Sequence, residues 1–398
     1  MENMENVQAD AVAPVATDAD RVPERLTILH LGDVLLDGPV QRLRRDTKEH
    51  RREELRESFE DFMRCVETEK ANAVIFSGNL LDGRYAEDDT LTFLIKAFAA
   101  HPSCHFVIAP GPRDPYVKES IYRSKRLPRN VHVFVEEIVG LFSFTDIPLT
   151  VYGWGYQGET SPHAPLSSVH RTPNDRFTVL CGYTQMDADA TLSPIDTTAL
   201  ADFAAHYAAF TGKAHDGFHR VGDGVYAYSG SFEGHDVREG EAETGGYVRL
   251  CAKRREGGWS VEATRVPIGT YAYVTERLDV SHLSTAEEAK TRLRARIAAR
   301  GHGERTVLRV ILCGSVSLDA SFAGVESEDY GVYSLWVEDR TVPTDNGDLL
   351  LQEMNARGEL YRYFYPKMTD GPEEDRARAA RAFRIGYAAL LGEDFAKF

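Results

Sequence analysis

Short apolar segments alternate with amphipathic ones between residues 26 and 110 of the chain. The apolar segments read LTILHL, AVIFS and HFVIAP, and each is followed directly by glycine. Between the first two, apolar residues recur every three or four positions, at Leu55, Phe59, Phe62 and Val66. Buried strands give continuous apolar runs, whereas amphipathic helices give this longer spacing. The pattern therefore predicts an α/β fold with a buried sheet.

Strand-like segments dominate farther along the chain, from residue 131 to residue 252. They read VHVF, TVYGW, FTVLC, VYAYS and GYVRLCA, and they are separated by Gly, Pro, Ser and Asp. A second sheet is expected here. The stretch 157–176 is rich in Ser, Thr, Pro and His without periodicity, which predicts a surface loop.

Changes in the pattern divide the chain into four predicted regions. These are a disordered acidic tail (1–24), a two-sheet domain (25–267), a small α/β capping domain (268–345) and a mostly helical C-terminal segment (346–398). The small domain has a predicted helix from Thr285 to Arg300. In the last region, the aromatic residues after Leu360 are predicted to be strand-like, and a helix is predicted from Ala379 to Leu391.

Charge and composition exclude several classes of protein. The 398 residues include 46 Lys and Arg against 62 Asp and Glu, a net charge of −16, so bulk positive charge does not hold the chain to nucleic acid. No apolar run approaches the roughly 20 residues that cross a bilayer, and the acidic N-terminus lacks the features of a signal peptide. The five cysteines show no C-x-x-C spacing. A cytoplasmic protein with reduced thiols is expected.

Candidate chemistry lies in loops that follow the predicted strands, where an α/β fold presents side chains to ligands. Three loops follow the first three strands: Gly32-Asp33-Val34-Leu35-Leu36, Gly78-Asn79-Leu80-Leu81-Asp82 and Pro110-Gly111-Pro112-Arg113-Asp114-Pro115. Two more motifs lie downstream: Val179-Leu180-Cys181-Gly182 ends a later strand, and Gly212-Lys213-Ala214-His215 follows the apolar segment around Phe210. In order and spacing they resemble the five signature motifs of the calcineurin-like metallophosphoesterases: D-x-H, G-D-x-x-D, G-N-H-D, a single His and G-H-x-H.

Within that superfamily, residues 26–265 resemble the SbcD/YhaO-type DNA repair exonucleases, which work with an SMC-like ATPase. The resemblance is carried by Ala73–Gly78, Tyr152-Gly153-Trp154 and the segment Tyr228–Gly234 that leads to a closing strand at 245–250. It implies a sandwich of two mixed sheets flanked by helices (αββα), a capping domain over the nuclease face and C-terminal helices that contact the ATPase coiled coil. It also implies a possible homodimer, a DNA substrate and two bound divalent ions, usually Mn²⁺.

The sequence departs from the family at most of the implied metal ligands. Asp33 and His215 are retained, whereas the other ligand or catalytic positions hold Leu35, Asn79, Pro112, Arg113, Cys181 and Lys213. A neutral amide such as Asn79 binds divalent ions more weakly than a carboxylate, and the lone thiol of Cys181 does not restore a site for hard ions. Because Arg113 stands where the family has its proton-donating His, no catalytic residue is assigned. The prediction is a degenerate site with no metal or a weakly bound one.

The remaining motif residues have structural and functional interpretations. Gly32, Gly78 and Gly111 are interpreted as turn formers, and Asp82 and Asp114 as acids that hold their loops by hydrogen bonds. Arg113 and Lys213 either neutralise Asp33, Asp82 and Asp114, which is the favoured interpretation, or form a phosphate seat. Basic residues after the third motif are candidates for contacts with a DNA backbone: Lys118, Arg123, Lys125, Arg126 and Arg129.

Three functions therefore stay open. The favoured one is a catalytically impaired relative of the exonucleases that binds DNA or the ATPase. The second is an active nuclease or phosphodiesterase with one metal or an unusual site, and the third is a module that binds phosphate or a nucleotide.

Overall fold

The computed structural model describes residues 24–39, 45–167, 169, 171, 174–186, 191–212, 217–234, 245–269, 271–318, 320–343 and 347–392. In chain order the first elements are β1 (Arg25–Leu31), α1 (Arg45–Thr68), β2 (Ala73–Phe76), α2 (Asp88–Ala99), β3 (His105–Ile108), β4 (Val131–Val133), β5 (Gly140–Ser143), β6 (Leu149–Gly153), β7 (Phe177–Tyr183), α3 (Thr197–Phe203) and β8 (Tyr207–Thr211). They are followed by β9 (Gly217–Val221), β10 (Gly224–Tyr228), β11 (Gly246–Arg255), β12 (Gly258–Pro267), β13 (Ala272–Asp279), α4 (Ala286–Arg300), β14 (Thr306–Cys313), β15 (Ser315–Val316), β16 (Ser334–Asp339), β17 (Val342–Pro343), α5 (Gly347–Gln352), α6 (Ala356–Thr369) and α7 (Glu373–Leu391).

Two six-stranded mixed sheets form the larger part of the fold. The first has the strand order β12-β11-β1-β2-β3-β4. The strands β1 to β4 are parallel to one another, and β11 is antiparallel to both of its neighbours, β1 and β12. The second has the order β5-β6-β7-β8-β10-β9. Because β1, β2 and β3 are parallel neighbours, the loops that follow them leave the same edge of the first sheet.

Apolar side chains fill the space between the two sheets and cover both outer faces. Ile28 and Ile75 of the first sheet pack with Val151 and Val179 of the second. The helices α1 and α2 cover the outer face of the first sheet, and α3 packs on the second. This is the predicted αββα sandwich, so the predicted fold class is confirmed. The periodic residues of α1 are all buried as predicted: Leu55, Phe59, Phe62 and Val66.

A smaller parallel sheet follows the sandwich, in the order β13-β14-β16. Its core includes Leu308 and Val310 of β14, packed with Leu293 and Ile297 of α4. The helix α4 begins where the sequence predicts, because the Thr285 side chain accepts a hydrogen bond from Glu288 N in a capping box.

The C-terminal region is helical, and one prediction there was wrong. The aromatic stretch after Leu360 is not strand-like but lies within α6. Tyr361, Phe364 and Met368 recur with helical spacing and pack with Phe383 of α7, so tertiary contacts favour the helix over the β-propensity of the aromatic residues. The helix α7 begins at Glu373, six residues before the predicted start at Ala379. Within the part of the chain described here, no helix is long and apolar enough to cross a membrane.

Candidate functional site

Three loops meet at the carboxyl ends of β1, β2 and β3, and we call residues 32–37, 78–83 and 110–115 the motif loops. Backbone hydrogen bonds tie the first loop to the second: Asp33 N donates to Gly78 O at 3.1 Å and Leu35 N to Asn79 O at 3.0 Å. The second loop is tied to the third by Gly83 N, which donates to Arg113 O at 2.8 Å. The fold thus brings together the first three sequence motifs.

The backbone of these loops is strained and closely packed. Asp33, Leu35 and Asn79 have φ angles of 44°, 47° and 55°, in the left-handed region that non-glycine residues rarely adopt. Gly111 fits because a Cβ there would lie 2.5 Å from Asn79 Oδ1. A Cβ at Gly32 would lie 1.7 Å from Thr211 Oγ1, so only glycine is tolerated there. The loops are therefore held by their mutual contacts.

Asn79 connects the other two motif loops through its side chain. Its Nδ2 donates to Asp33 Oδ1 at 2.6 Å, and its Oδ1 accepts from Arg113 N at 2.9 Å. Only 3% of Asn79 is exposed. Both ends of the Asn79 amide are therefore engaged in hydrogen bonds within the protein, the NH₂ group as donor and the oxygen as acceptor.

Asp114, in the third motif loop, is also buried. Its Oδ1 accepts from Gly111 N at 2.7 Å and Asn79 N at 3.1 Å. Its Oδ2 accepts from Tyr122 Oη at 2.6 Å and Leu81 N at 3.3 Å. Burial raises the pKa of Asp114 to about 6, and these donors act in the opposite direction. The Asp114 carboxyl group therefore joins the backbones of the second and third motif loops.

Arg113 forms an ion pair with Asp82 across the second and third loops. Arg113 Nη2 lies 2.9 Å from Asp82 Oδ2, and the Asp82 side chain is fully buried while 40% of the Arg113 side chain is exposed. Asp82 Oδ1 accepts from Arg84 N at 3.2 Å. Of the two interpretations of Arg113, this geometry favours charge neutralisation over a phosphate seat.

A polar network lies under the motif loops, and sequence reasoning missed it. His30 Nδ1 lies 2.9 Å from Tyr207 Oη, and His30 Nε2 lies 2.8 Å from Ser77 Oγ. Ser77 Oγ is also 2.6 Å from Thr211 Oγ1, the atom that faces Gly32. Burial lowers the pKa of His30 to about 3, so its imidazole is neutral at physiological pH. The available signal was a histidine inside the otherwise apolar strand LTILHL.

Cys181, the doubtful metal ligand, is placed elsewhere. It is fully buried in the apolar layer between the sheets, and desolvation raises the pKa of its thiol well above the usual value. The ring of Tyr183, two residues later, packs against the motif loops instead, since a Cβ at Gly78 would lie 2.9 Å from Tyr183 Cδ2. The strand β7 continues to Tyr183, so the end of the strand was predicted two residues too early.

The described residues do not fit the two-metal cage that the family resemblance implies. Asp33 and Asn79 are hydrogen-bonded to each other, Asp82 is ion-paired and Asp114 is surrounded by donors. Within the described part of the chain, no group of three or more His, Cys, Asp or Glu residues is arranged to hold a metal ion. Two predicted site residues, Lys213 and His215, lie outside the described residues.

Arg84 and Arg113 line a cavity of about 400 Å³ at the motif loops, and the five basic residues after the third motif do not line it. Lys118, Arg123, Arg126 and Arg129 are exposed. Lys125 is used within the protein, because its Nζ donates to Asp88 O at 2.8 Å and Thr92 Oγ1 at 2.7 Å. Lys118, Arg123 and Arg126 follow the third motif loop along the chain, whereas Arg129 directly precedes β4, which is parallel to β3, and so lies at the end of the sheet opposite the motif loops.

No protein-family model matches the sequence, and no curated protein matches it. Among solved structures, the chain is similar to vacuolar protein sorting 29 from Cryptosporidium parvum, with 12% identity and a TM-score of 0.29. The match covers 62% of this chain and 100% of that one. Likeness at this level adds no functional argument, and the fold rests on the strands and helices described above.

Proposed function

We propose that the chain is a non-catalytic relative of the SbcD/YhaO-type exonuclease subunits and acts as a binding subunit for DNA and an SMC-like ATPase. The observation that carries the proposal is the use of the motif-loop side chains by one another. Asn79 joins Asp33 to Arg113, and the Arg113 guanidinium pairs with the buried Asp82. Donors and acceptors engaged in this way maintain the loops instead of coordinating ions.

Metal binding and nuclease activity test the loss of catalysis. We expect calorimetric titration with Mn²⁺ to show no pair of tight sites, and end-labelled DNA to stay intact with Mn²⁺ present. The Asp33→Ala protein serves as the contamination control, because Asp33 is the retained acid of the first motif. Cleavage that disappears in Asp33→Ala, or two tight Mn²⁺ sites, would establish an active enzyme and overturn the proposal.

DNA binding is supported by the exposed cations that follow the third motif loop. The charge of −16 makes the whole protein repel DNA, so binding requires a local patch of positive charge. Reversing Arg123 to Glu should weaken binding of a fluorescein-labelled duplex. The slope of log K against log salt should also become shallower, by about one for each DNA phosphate that the variant no longer neutralises.

A matched control is Arg255→Glu. Arg255 is exposed at the β11–β12 turn, and β11 pairs antiparallel with β1, so this turn lies at the end of the sheet opposite the motif loops. Its reversal should leave the DNA affinity unchanged. An equal decrease in affinity from both reversals would mean that only net charge matters and that there is no DNA-binding patch.

Contact with an ATPase is supported by apolar side chains on the last two helices. Exposed fractions are 61% for Tyr363 of α6, and 36% and 48% for Ile385 and Leu390 of α7. Apolar residues exposed on neighbouring helices are typical of a protein-binding surface. Ile385→Ser with Leu390→Ser should abolish copurification with a coiled-coil ATPase encoded beside this chain, while the thermal midpoint stays unchanged. Retained copurification would place the ATPase contact elsewhere.

A further inference from the structure

A second cavity lies far along the chain from the motif loops, against the edge strand β16 of the small sheet. It has a volume of about 280 Å³. One wall is β16 from Trp336 to Asp339, a second is the turn from Phe322 to Glu326, and the third is α7. We call it the edge cavity.

The helix α7 contributes two cations to the edge cavity. Ala377, Arg381 and Arg384 line it and are spaced four and three residues apart, so they lie on one face of the helix. Arg381 is exposed, whereas only 4% of Arg384 is exposed. A guanidinium at this depth is unusual, because a buried charge requires nearly complete hydrogen bonding.

Arg384 does not receive that complete set of partners from the protein. Its Nη2 donates to Thr341 Oγ1 at 2.9 Å, and its Nη1 lies 3.3 Å from Asp339 Oδ2. Its Nε is buried and has no hydrogen-bond partner among the residues that the structure describes. Desolvation lowers the pKa of Arg384, which shows the same incomplete compensation of its charge.

The acids around the edge cavity are largely engaged with other groups. Glu338 pairs with Arg309 at 2.6 Å and Arg340 at 2.7 Å. Asp339 Oδ1 accepts from Thr341 N and Oγ1 at 2.8 and 2.7 Å. Glu326 is exposed at the rim. The deepest charge in the cavity is therefore positive and retains a buried donor.

Apolar groups complete the lining. Leu312, Phe322 and Val325 are buried and line the cavity, together with the half-buried Val337. Ligand pockets combine a mostly apolar lining with a few polar groups that fix the orientation of the ligand. A guanidinium in a partly apolar cavity recognises a planar carboxylate in particular, since two parallel N–H donors match its two oxygens.

We propose that the edge cavity binds a small monocarboxylate with an apolar body. Its carboxylate accepts hydrogen bonds from the guanidinium groups of Arg384 and Arg381, while its hydrocarbon part contacts Leu312, Phe322 and Val325.

The test uses benzoate and 4-methylpentanoate as probes with the full chain, and titrations followed by saturation-transfer NMR. Each has a neutral isostere, benzamide and 4-methylpentanamide, that keeps its shape and loses its charge. We expect the carboxylates to bind about ten- to a hundredfold more tightly than the amides, the range for one charge-assisted hydrogen bond in a buried site. Binding of neither carboxylate, or equal binding of the amides, would overturn the proposal.

Three variants locate the site. Arg384→Gln should abolish carboxylate binding, and Ala377→Leu, which fills the cavity without changing a charge, should do the same if Arg384→Gln fails to fold. Arg381→Gln should weaken binding severalfold. The matched control is Arg378→Gln, an exposed arginine on the same helix that pairs with Asp375 outside the cavity and should not change affinity. Unchanged affinity in Ala377→Leu would show that the carboxylates bind elsewhere, and inorganic phosphate that matches benzoate would show a general anion site instead.

Discussion

The motif loops and the edge cavity compensate a buried charge to different extents. The motif loops give Asp114 four hydrogen bonds and pair Asp82 with a guanidinium at 2.9 Å, although Asp82 Oδ2 has no hydrogen-bond partner among the described residues. In the edge cavity, the buried cation Arg384 has its only ion-pair partner among those residues at 3.3 Å, and its Nε has no hydrogen-bond partner there.

This difference indicates which of the two regions gains more from binding a ligand. A group of ionisable side chains that complete one another's hydrogen bonds gains nothing from a ligand, even where its sequence resembles an active site. An incompletely compensated charge in a cavity is stabilised when a ligand supplies a hydrogen bond, because such bonds are stronger in the protein interior than in water. Sequence motifs identify the motif loops as a candidate site, whereas burial and hydrogen bonding identify the edge cavity.

The largest expected effect concerns His30, beneath the motif loops. Its pKa is about 3 in the folded protein and near 6.5 when unfolded, so its stabilising contribution is fully present above pH 6.5 and is lost as the pH falls toward 3. The free energy of unfolding should fall by about 1.4 kcal/mol per pH unit in this range from His30 alone. Urea unfolding at a series of pH values should show this slope in the parent and a shallower one in His30→Gln. Parallel slopes would mean that His30 can take a proton in the folded state.

The next effect is expected at Asp114. Asp114→Asn replaces an acceptor oxygen by an NH₂ group that faces existing donors, so the free energy of unfolding should fall by about 3 kcal/mol. Asp88→Asn is the control, because 76% of that side chain is exposed. If urea unfolding finds the two variants equally stable, the four donors around Asp114 do not hold the motif loops together.

A smaller decrease in the free energy of unfolding is expected when Arg113 is replaced. Arg113→Gln leaves Asp82 buried without its cation, which should lower the free energy of unfolding by about 2 kcal/mol, less than for a fully buried pair because Arg113 is partly exposed. Adding Asp82→Asn should recover much of this stability, and a double-mutant cycle measures the coupling. Additive effects in the cycle would mean that the ion pair contributes nothing to stability.

The smallest change in the free energy of unfolding is expected from a substitution in the edge cavity. Arg384→Met should change the free energy of unfolding by less than about 1 kcal/mol, because it removes an incompletely compensated charge and its partner Asp339 is partly exposed to water. Calorimetric unfolding of this variant beside Arg113→Gln compares the two regions directly. A decrease for Arg384→Met as large as that for Arg113→Gln would mean that the two charges are equally well paired, and the comparison would fail.

The sequence predicted the sandwich because periodicity reports burial directly. The apolar run LTILHL became β1, and the spacing from Leu55 to Val66 became the buried face of α1. The aromatic residues of α6 were assigned wrongly because aromatic side chains favour strands until a neighbouring helix, here at Phe383, offers them a partner.

The motif loops could be located from sequence, whereas their hydrogen bonds could not. Three of the five motifs follow adjacent parallel strands, which the α/β pattern implies. The pairing of Asp33 with Asn79 and of Arg113 with Asp82 depends on distances between loops far apart in sequence. The position of Cys181 between the sheets depends on where β7 ends, and the edges of elements are the least certain part of such predictions.

The contact between Asn79 and Asp33 also restricts how the protein can evolve. An Asn79→Asp substitution would bring a second carboxylate to within 2.6 Å of the first, where two negative charges repel strongly unless a cation or proton arrives with them. A second acid could therefore be added to these loops at a low cost in stability only together with a cation or a second substitution. In this respect one amide limits the number of carboxylates that the loops can hold.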